Sequence, residues 1–266
     1  SQCEVLRYGS KQPLQFTAPP IGQWAALLAA ANGTPQVQLA SQHNLSDISE
    51  VSADFRDAYY WLAKRVTEGQ IGDCRHQLAT VGLIDPFEFM HGNVEVKFAK
   101  QRFQRPVVEI EDQPPQPLRN WLQRRLTPKL LVASQTRVVE CYADQHGDVL
   151  PSTPLITITP RDPSRLWHLL AAVGSPAASA WAVSASAGTG LSQGTVRLRA
   201  SLLAELPLPM SSKLWDEGAK LARQIQSGDR THETMVRFGE TMNKAYKTPS
   251  EGLLGWWISR IQKKRP

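Results

Sequence analysis

The chain has 266 residues, 41% of them hydrophobic and 20% charged, with eight Trp. That is ample length for a packed core and the wrong balance for a disordered or collagen-like chain. No apolar run approaches the roughly 20 residues that a membrane-spanning helix needs. Residues 1–10 hold Glu4 and Arg7 and no apolar stretch, so no signal peptide is expected. Cys3, Cys74 and Cys141 are odd in number and widely spaced, which fits neither a disulfide framework nor a zinc site and points to a reducing cytoplasm.

In chain order, residues 1–44 read as a Pro- and Gln-rich connecting segment. It carries one helix, with Trp24, Leu27, Leu28 and Ala31 at helical spacing and Asn32-Gly33 as its stop. Residues 45–210 read as one α+β unit, a mixed or antiparallel β cluster with packed helices. Val94–Phe98 alternates as a strand with Lys97 on its polar face. Residues 111–117 are Pro-rich loop. Leu130–Val132 and Arg137–Ala143 are β-prone, a turn with Gly147 follows, and Leu155–Thr159 returns as a strand ending at Pro160. Asp162-Pro163 starts a helix with Leu166, Leu169, Leu170 and Val173 on its apolar stripe, closed by Gly174. Ser175-Pro176 opens a second helix holding Trp181. In Thr195–Ala200, Val196 and Leu198 face one way and Arg197 and Arg199 the other. Residues 211–266 form a C-terminal helical extension of three helices, 214–226, 231–246 and 250–262, followed by Lys263-Lys264-Arg265.

The net charge is +6, from 30 Lys and Arg against 24 Asp and Glu. Between Lys97 and Arg137 nine basic residues face three acidic ones, so this stretch alone carries an excess of +6. A concentrated positive field suits a polyanionic partner, and equally a solvated basic face.

No self-contained catalytic or metal site is visible. Gly188-Thr-Gly190-Leu-Ser-Gln-Gly194 has one residue too many for a dinucleotide fingerprint. The six histidines lack ligand spacing, and His168 reads as a structural histidine. Asp54 and Asp57 have the residue types for acid–base work, and read more simply as a solvated carboxylate pair in a loop.

Several segments together resemble a known family. They are Asp47-Ile-Ser-Glu-Val-Ser-Ala-Asp-Phe-Arg-Asp-Ala-Tyr-Tyr60, Val81-Gly-Leu-Ile-Asp-Pro86, Val96-Lys-Phe-Ala-Lys100, Lys129-Leu-Leu-Val-Ala-Ser-Gln-Thr-Arg137, Thr157-Ile-Thr-Pro160, Leu166-Trp-His-Leu-Leu-Ala-Ala-Val-Gly-Ser175 and Arg197-Leu-Arg-Ala-Ser-Leu-Leu-Ala-Glu-Leu-Pro-Leu-Pro209. In this order they resemble the C-terminal target-recognition domain of adenine-specific DNA methyltransferases of the restriction-modification type. The family's Asn/Asp-Pro-Pro-aromatic motif and cofactor loop are missing: Pro19-Pro20 follows Ala18, and Asp85-Pro86-Phe87 lacks the second proline.

The resemblance implies a non-catalytic module that positions double-stranded DNA for a methyltransferase catalytic half, joined in cis or in trans. S-adenosylmethionine would belong to that half, and this chain would hold no cofactor and no metal. Phosphate contacts are expected from Lys97, Lys100, Arg102, Arg105, Arg124, Arg125 and Lys129, and base readout from Gln135, Thr136, Arg137, Arg197 and Arg199. Phe55, Arg56, Tyr59 and Tyr60 are expected to stack beside a displaced base, or to serve the core. The alternative to DNA recognition is a protein-interaction module that docks an acidic partner through the basic stretch. No membrane partner is expected.

Overall fold

The computed structural model describes residues 2–5, 14–17, 24–53, 56–70, 72, 75–110, 114–190, 194–249 and 251–262. A hairpin of β1 (Gln2–Val5) and β2 (Leu14–Thr17) precedes α1 (Trp24–Ala31). The short helix α2 (Leu45–Ile48) runs into β3 (Ser49–Ala53), followed by α3 (Arg56–Ala63), β4 (Val66–Glu68) and β5 (Arg75–Ala79). Two small hairpins come next: β6 (Ile84–Asp85) with β7 (Glu88–Phe89), and β8 (Val96–Phe98) with β9 (Gln101–Phe103). Then come β10 (Pro106–Glu109), α4 (Gln116–Arg125), β11 (Lys129–Val132), β12 (Gln135–Thr136), β13 (Cys141–Asp144), β14 (Val149–Pro151) and β15 (Ile156–Pro160). The rest is α5 (Leu166–Val173), α6 (Pro176–Ala185), β16 (Val196–Arg197), α7 (Ala200–Ala204), α8 (Ser212–Gln226), α9 (His232–Ala245) and α10 (Leu253–Ile261).

The class is α+β. Two four-stranded sheets form its centre, ordered β13-β11-β15-β3 and β14-β5-β10-β4. The first is antiparallel throughout. In the second, β14 runs parallel to β5 while β10 is antiparallel to both its neighbours. Central strand β11 is buried along its whole length, which is why Leu130, Leu131 and Val132 read as an unbroken apolar run and not as an alternation.

Leu130 and Val132 face a large core shared with the helices. It takes in Leu169 and Leu170 of α5, Ala177 and Ala178 of α6, Phe238 and Met242 of α9, and Trp257 of α10. The C-terminal helices therefore complete the same core that covers one face of the β11 sheet. A second cluster joins Leu62 of α3, Leu78, Val108, Trp121 of α4 and Leu150. A third, small one holds Ala79, Ile84, Leu131, Ala133, Val149 and Leu155 between the two sheets.

The helix starts follow side-chain chemistry. Asp162 accepts from the Ser164 N–H and Ser175 Oγ from the Ala178 N–H, each with Pro just inside the helical turn. Thr231 does the same for α9. His168 is tied into the packing as expected of a structural histidine: its Nε2 lies 2.8 Å from Asp216 Oδ1, and its carbonyl accepts from Trp215 Nε1 at 2.7 Å. The Leu206–Pro209 segment closes the unit. Leu206 and Leu208 are buried, and their backbones pair with Leu45 and His43.

Some expectations are corrected. Gln116 and Pro117, expected as the end of the Pro-rich loop, instead open helix α4. Residues 137–140 are not strand, and β13 begins only at Cys141. Among the described residues no single helix is long and apolar enough to cross a membrane. The segments 163–173 and 176–185 together have the composition, but they are bent by 67°, and α5 and α6 lie in the large core.

Candidate functional site

Strand ends decide where the candidate residues meet. β5 and β14 run in parallel and finish together, Ala79 opposite Pro151. β11 finishes at Val132 opposite Ile156, the first residue of β15, and β3 finishes at Ala53, also opposite Ile156. Ser152–Leu155 bridge the two sheets, and Ala79, Ala133 and Leu155 pack into one buried cluster. Everything that leaves these strand ends therefore emerges on one end of the molecule.

Three groups of candidates do so. The first continues β11. Ser134 O accepts from the Leu198 N–H at 2.7 Å, and β12 pairs antiparallel with β16, placing Gln135 directly opposite Arg197. Residues opposite one another in a ladder share a face, so two side chains 62 positions apart stand side by side. Arg197 and Arg199 are exposed, Gln135 and Arg137 half-buried. Thr189 holds the Arg197 backbone: its Oγ1 accepts from the Arg197 N–H at 2.9 Å. The Gly-rich loop is thus a support for β16 over its described part, and a Cβ on Gly190 would lie 2.0 Å from Thr195 O. Leu191, Ser192 and Gln193 lie outside the described residues.

The second group is the β8–β9 hairpin. Lys97 pairs with Arg102 across the ladder, and Lys100 sits in the turn with φ 69° after Ala99 with φ 49°. Lys97, Lys100 and Arg102 are all exposed, Arg102 being paired to Glu95 at 2.6 Å. Arg105 follows at the start of β10. The Glu68 carboxylate accepts from the Gln104 and Arg105 N–H groups at 2.9 Å each, fixing the turn from which Arg105 projects.

The third group is α3, which follows β3. Tyr60 is exposed, whereas Tyr59 is half-buried and makes edge contacts with Tyr60 (5.6 Å) and Phe98 of the hairpin (5.1 Å). Tyr59 is thus partly a core residue, as the alternative reading had it. Phe55 and the side chain of Arg56 lie outside the described residues.

Four candidates are placed otherwise. Lys129 is fully buried at the start of β11, its Nζ donating to Asp144 Oδ2. Burial pulls its ammonium below the usual lysine range, and Asp144 pulls it back. The same Asp144 accepts from the N–H groups of Gly147, Asp148 and Val149 at 3.0–3.1 Å. Lys129 is a structural lysine and not a phosphate contact. Arg125 is only 6% exposed and donates through Nη2 to Ser52 Oγ, so it too leaves the phosphate set. Thr136 is buried, its hydroxyl donating to Val138 O, and is removed from base readout. Arg124 is exposed, but it precedes the start of β11, the end away from Val132.

Chemically, the end offers exposed guanidinium and ammonium groups together with the Gln135 amide and the exposed Tyr60 ring. That set donates hydrogen bonds to anions and to acceptor edges; it supplies no activated nucleophile. Buried Cys141 is inert, its thiol pushed far up by burial. Among the described residues no group of three His, Cys, Asp or Glu could hold a metal ion. Cys74 and Asp54 lie outside the described residues. Thr189 and Glu68, which position the site's backbone, carry no sequence signal that singles them out.

No protein-family model matches the chain, and no curated protein matches its sequence.

Proposed function

We propose that the chain is a sequence-specific double-stranded DNA recognition module for an S-adenosylmethionine-dependent adenine methyltransferase, working in the cytoplasm. The observation that carries this reading is the convergence of three chain segments on one end. Gln135 and Arg197 present a Gln–Arg pair suited to adenine and guanine edges, flanked by Arg137 and Arg199. Lys97, Lys100, Arg102 and Arg105 stand on a neighbouring hairpin and turn, where they fix register on phosphates without reading sequence. Adenine chemistry and the methyl donor rest on the resemblance alone. They belong to a catalytic half that supplies the cofactor pocket and the grip on the target base.

Binding to mixed-sequence duplex DNA, titrated between low and moderate salt, tests the reading. Neutralising on the order of 5 phosphates gives a slope of log K against log salt of about −4 to −5. A slope near zero overturns the reading. Equal affinity for heparin and duplex DNA favours a generic acidic partner instead.

A further inference from the structure

Beside the hairpin lies a cavity of about 430 Å³ whose interior has no occupant in the roles above, although Lys97 and Tyr59 stand in its wall. Its volume falls within the roughly 300–1,000 Å³ of small-molecule sites. Its walls combine three kinds of group. Tyr59 gives an aromatic surface and Val81 an aliphatic one, while the exposed Lys97 belongs to its lining. Thr80, Ser152 and Thr153 bring hydroxyls. Among the described residues, Ser152 Oγ and Thr153 Oγ1 are buried without a hydrogen-bond partner. Buried hydroxyls are normally paired. Turning either one toward the cavity breaks no internal hydrogen bond.

We propose that this cavity receives a single nucleobase of the bound DNA, displaced from its stack. The inference rests on the DNA reading above. An aromatic wall stacks on any base, and hydroxyls that both donate and accept suit the mixed donor–acceptor edge of a base. An ammonium at the end of a flexible aliphatic stem suits the nucleotide's phosphate. An aliphatic ligand would use neither the hydroxyls nor Lys97. Continuity decides the source: Lys97 and Phe98 line the cavity and belong to the same hairpin that carries the exposed Lys100 and Arg102. A strand tracked by that hairpin passes the cavity mouth. Displacement costs least at a mismatched pair, so a mismatch placed under the hairpin is held more tightly than its matched duplex.

Amide NMR of the full chain, titrated with the four deoxynucleosides, their 5′-monophosphates and inorganic phosphate, tests the cavity. Saturable shifts at Val81, Lys97 and Thr153 are expected from at least one nucleoside, and larger ones from its monophosphate. Inorganic phosphate should leave Val81 and Thr153 unmoved. Ser152→Ala with Thr153→Ala should weaken binding roughly 3- to 10-fold per hydroxyl without lowering the thermal midpoint, since neither group has a partner to lose. Lys97→Gln, at an exposed site, should abolish the advantage of the monophosphate over the nucleoside. No shifts from any nucleoside, or unchanged affinity in both variants, overturns the proposal. Salt-sensitive duplex binding with an empty cavity overturns the cavity and leaves the DNA reading intact. Nucleoside binding without duplex binding overturns the DNA reading and, with it, displacement from a stack.

Discussion

At the residue scale the structure separates basic groups that look alike in sequence. Lys129 and Lys97 both sit in short β-prone segments, yet one is buried and the other exposed. The difference is a partner 15 positions away. Asp144 pairs with Lys129 across the β11–β13 register and also organises the turn at Gly147. Gly147 has φ 74°, and a Cβ there would lie 2.7 Å from the Thr127 backbone, so the turn is fixed from both sides. Such a pairing has no local signature. Removing one member of a buried ion pair strands the other charge, at about 3–5 kcal/mol. Asp144→Ala should cost that much in urea unfolding. Lys129→Met should cost less, because Asp144 keeps three backbone N–H donors. The reverse order contradicts this account.

His91 gives a second test at this scale. It is half-buried, with Nε2 3.0 Å from Pro106 O and Nδ1 3.3 Å from Gln77 Nε2. That suits a neutral ring donating to Pro106 and accepting from Gln77. Burial holds its pKa below the ordinary 6.5, against the smaller raising effect of the Pro106 hydrogen bond. The unfolded chain therefore takes up the proton first as pH falls. Stability should decline as pH drops through about 6.5 and level off below the folded pKa. His91→Gln should flatten the change in urea midpoint between pH 7.5 and 5.5; an undiminished change contradicts the assignment.

At the scale of elements, what was legible followed a period or a cap. The apolar stripe of Leu166, Leu169, Leu170 and Val173, with Asp162-Pro163 before it and Gly174 after it, defines α5 in both readings. The alternation of Val196 and Leu198 with Arg197 and Arg199 matches their burial. The sheet containing β4, β5, β10 and β14 was not legible. Its strands are three to five residues long, too short for alternation to show, and β14 joins it only because the Asp144 turn aims it beside β5. Helix α4 was hidden behind Pro114, Pro115 and Pro117, which mark a helix start as well as a loop.

The β8–β9 hairpin carries an element-scale prediction. Lys97→Ala, Lys100→Asn and Arg102→Ala together should weaken binding to all duplexes alike and make the salt slope shallower by about 2–3. Asn is chosen at Lys100 because that residue has φ 69°, which Asn tolerates. Stability should hardly change, because the Arg102–Glu95 pair is exposed and such pairs contribute about 0–1 kcal/mol. A loss confined to particular sequences would mean that the hairpin reads bases.

At the scale of the whole molecule, the helices and the strands have separate tasks. Helices α5, α6, α8, α9 and α10 fill the large core on one side of the β11 sheet. The opposite side packs against the second sheet through Leu131, Ala79 and Leu155. The strand ends then deliver Gln135, Arg197 and the basic hairpin to the same end of the molecule. In sequence these residues and Arg199 lie up to 102 positions apart, from Lys97 to Arg199; the register of β12 on β16 and the bridge at Ser152–Leu155 bring them to that end. The central claim is that this end chooses a DNA site. Selection of bound duplexes from a randomised library, followed by sequencing, tests it most directly. The account predicts an enriched motif for the parent chain, and for Arg197→Ala the same motif relaxed at one position, with discrimination there falling by roughly 1–3 kcal/mol. No enrichment by the parent, or an identical motif from Arg197→Ala and Gln135→Ala, contradicts it.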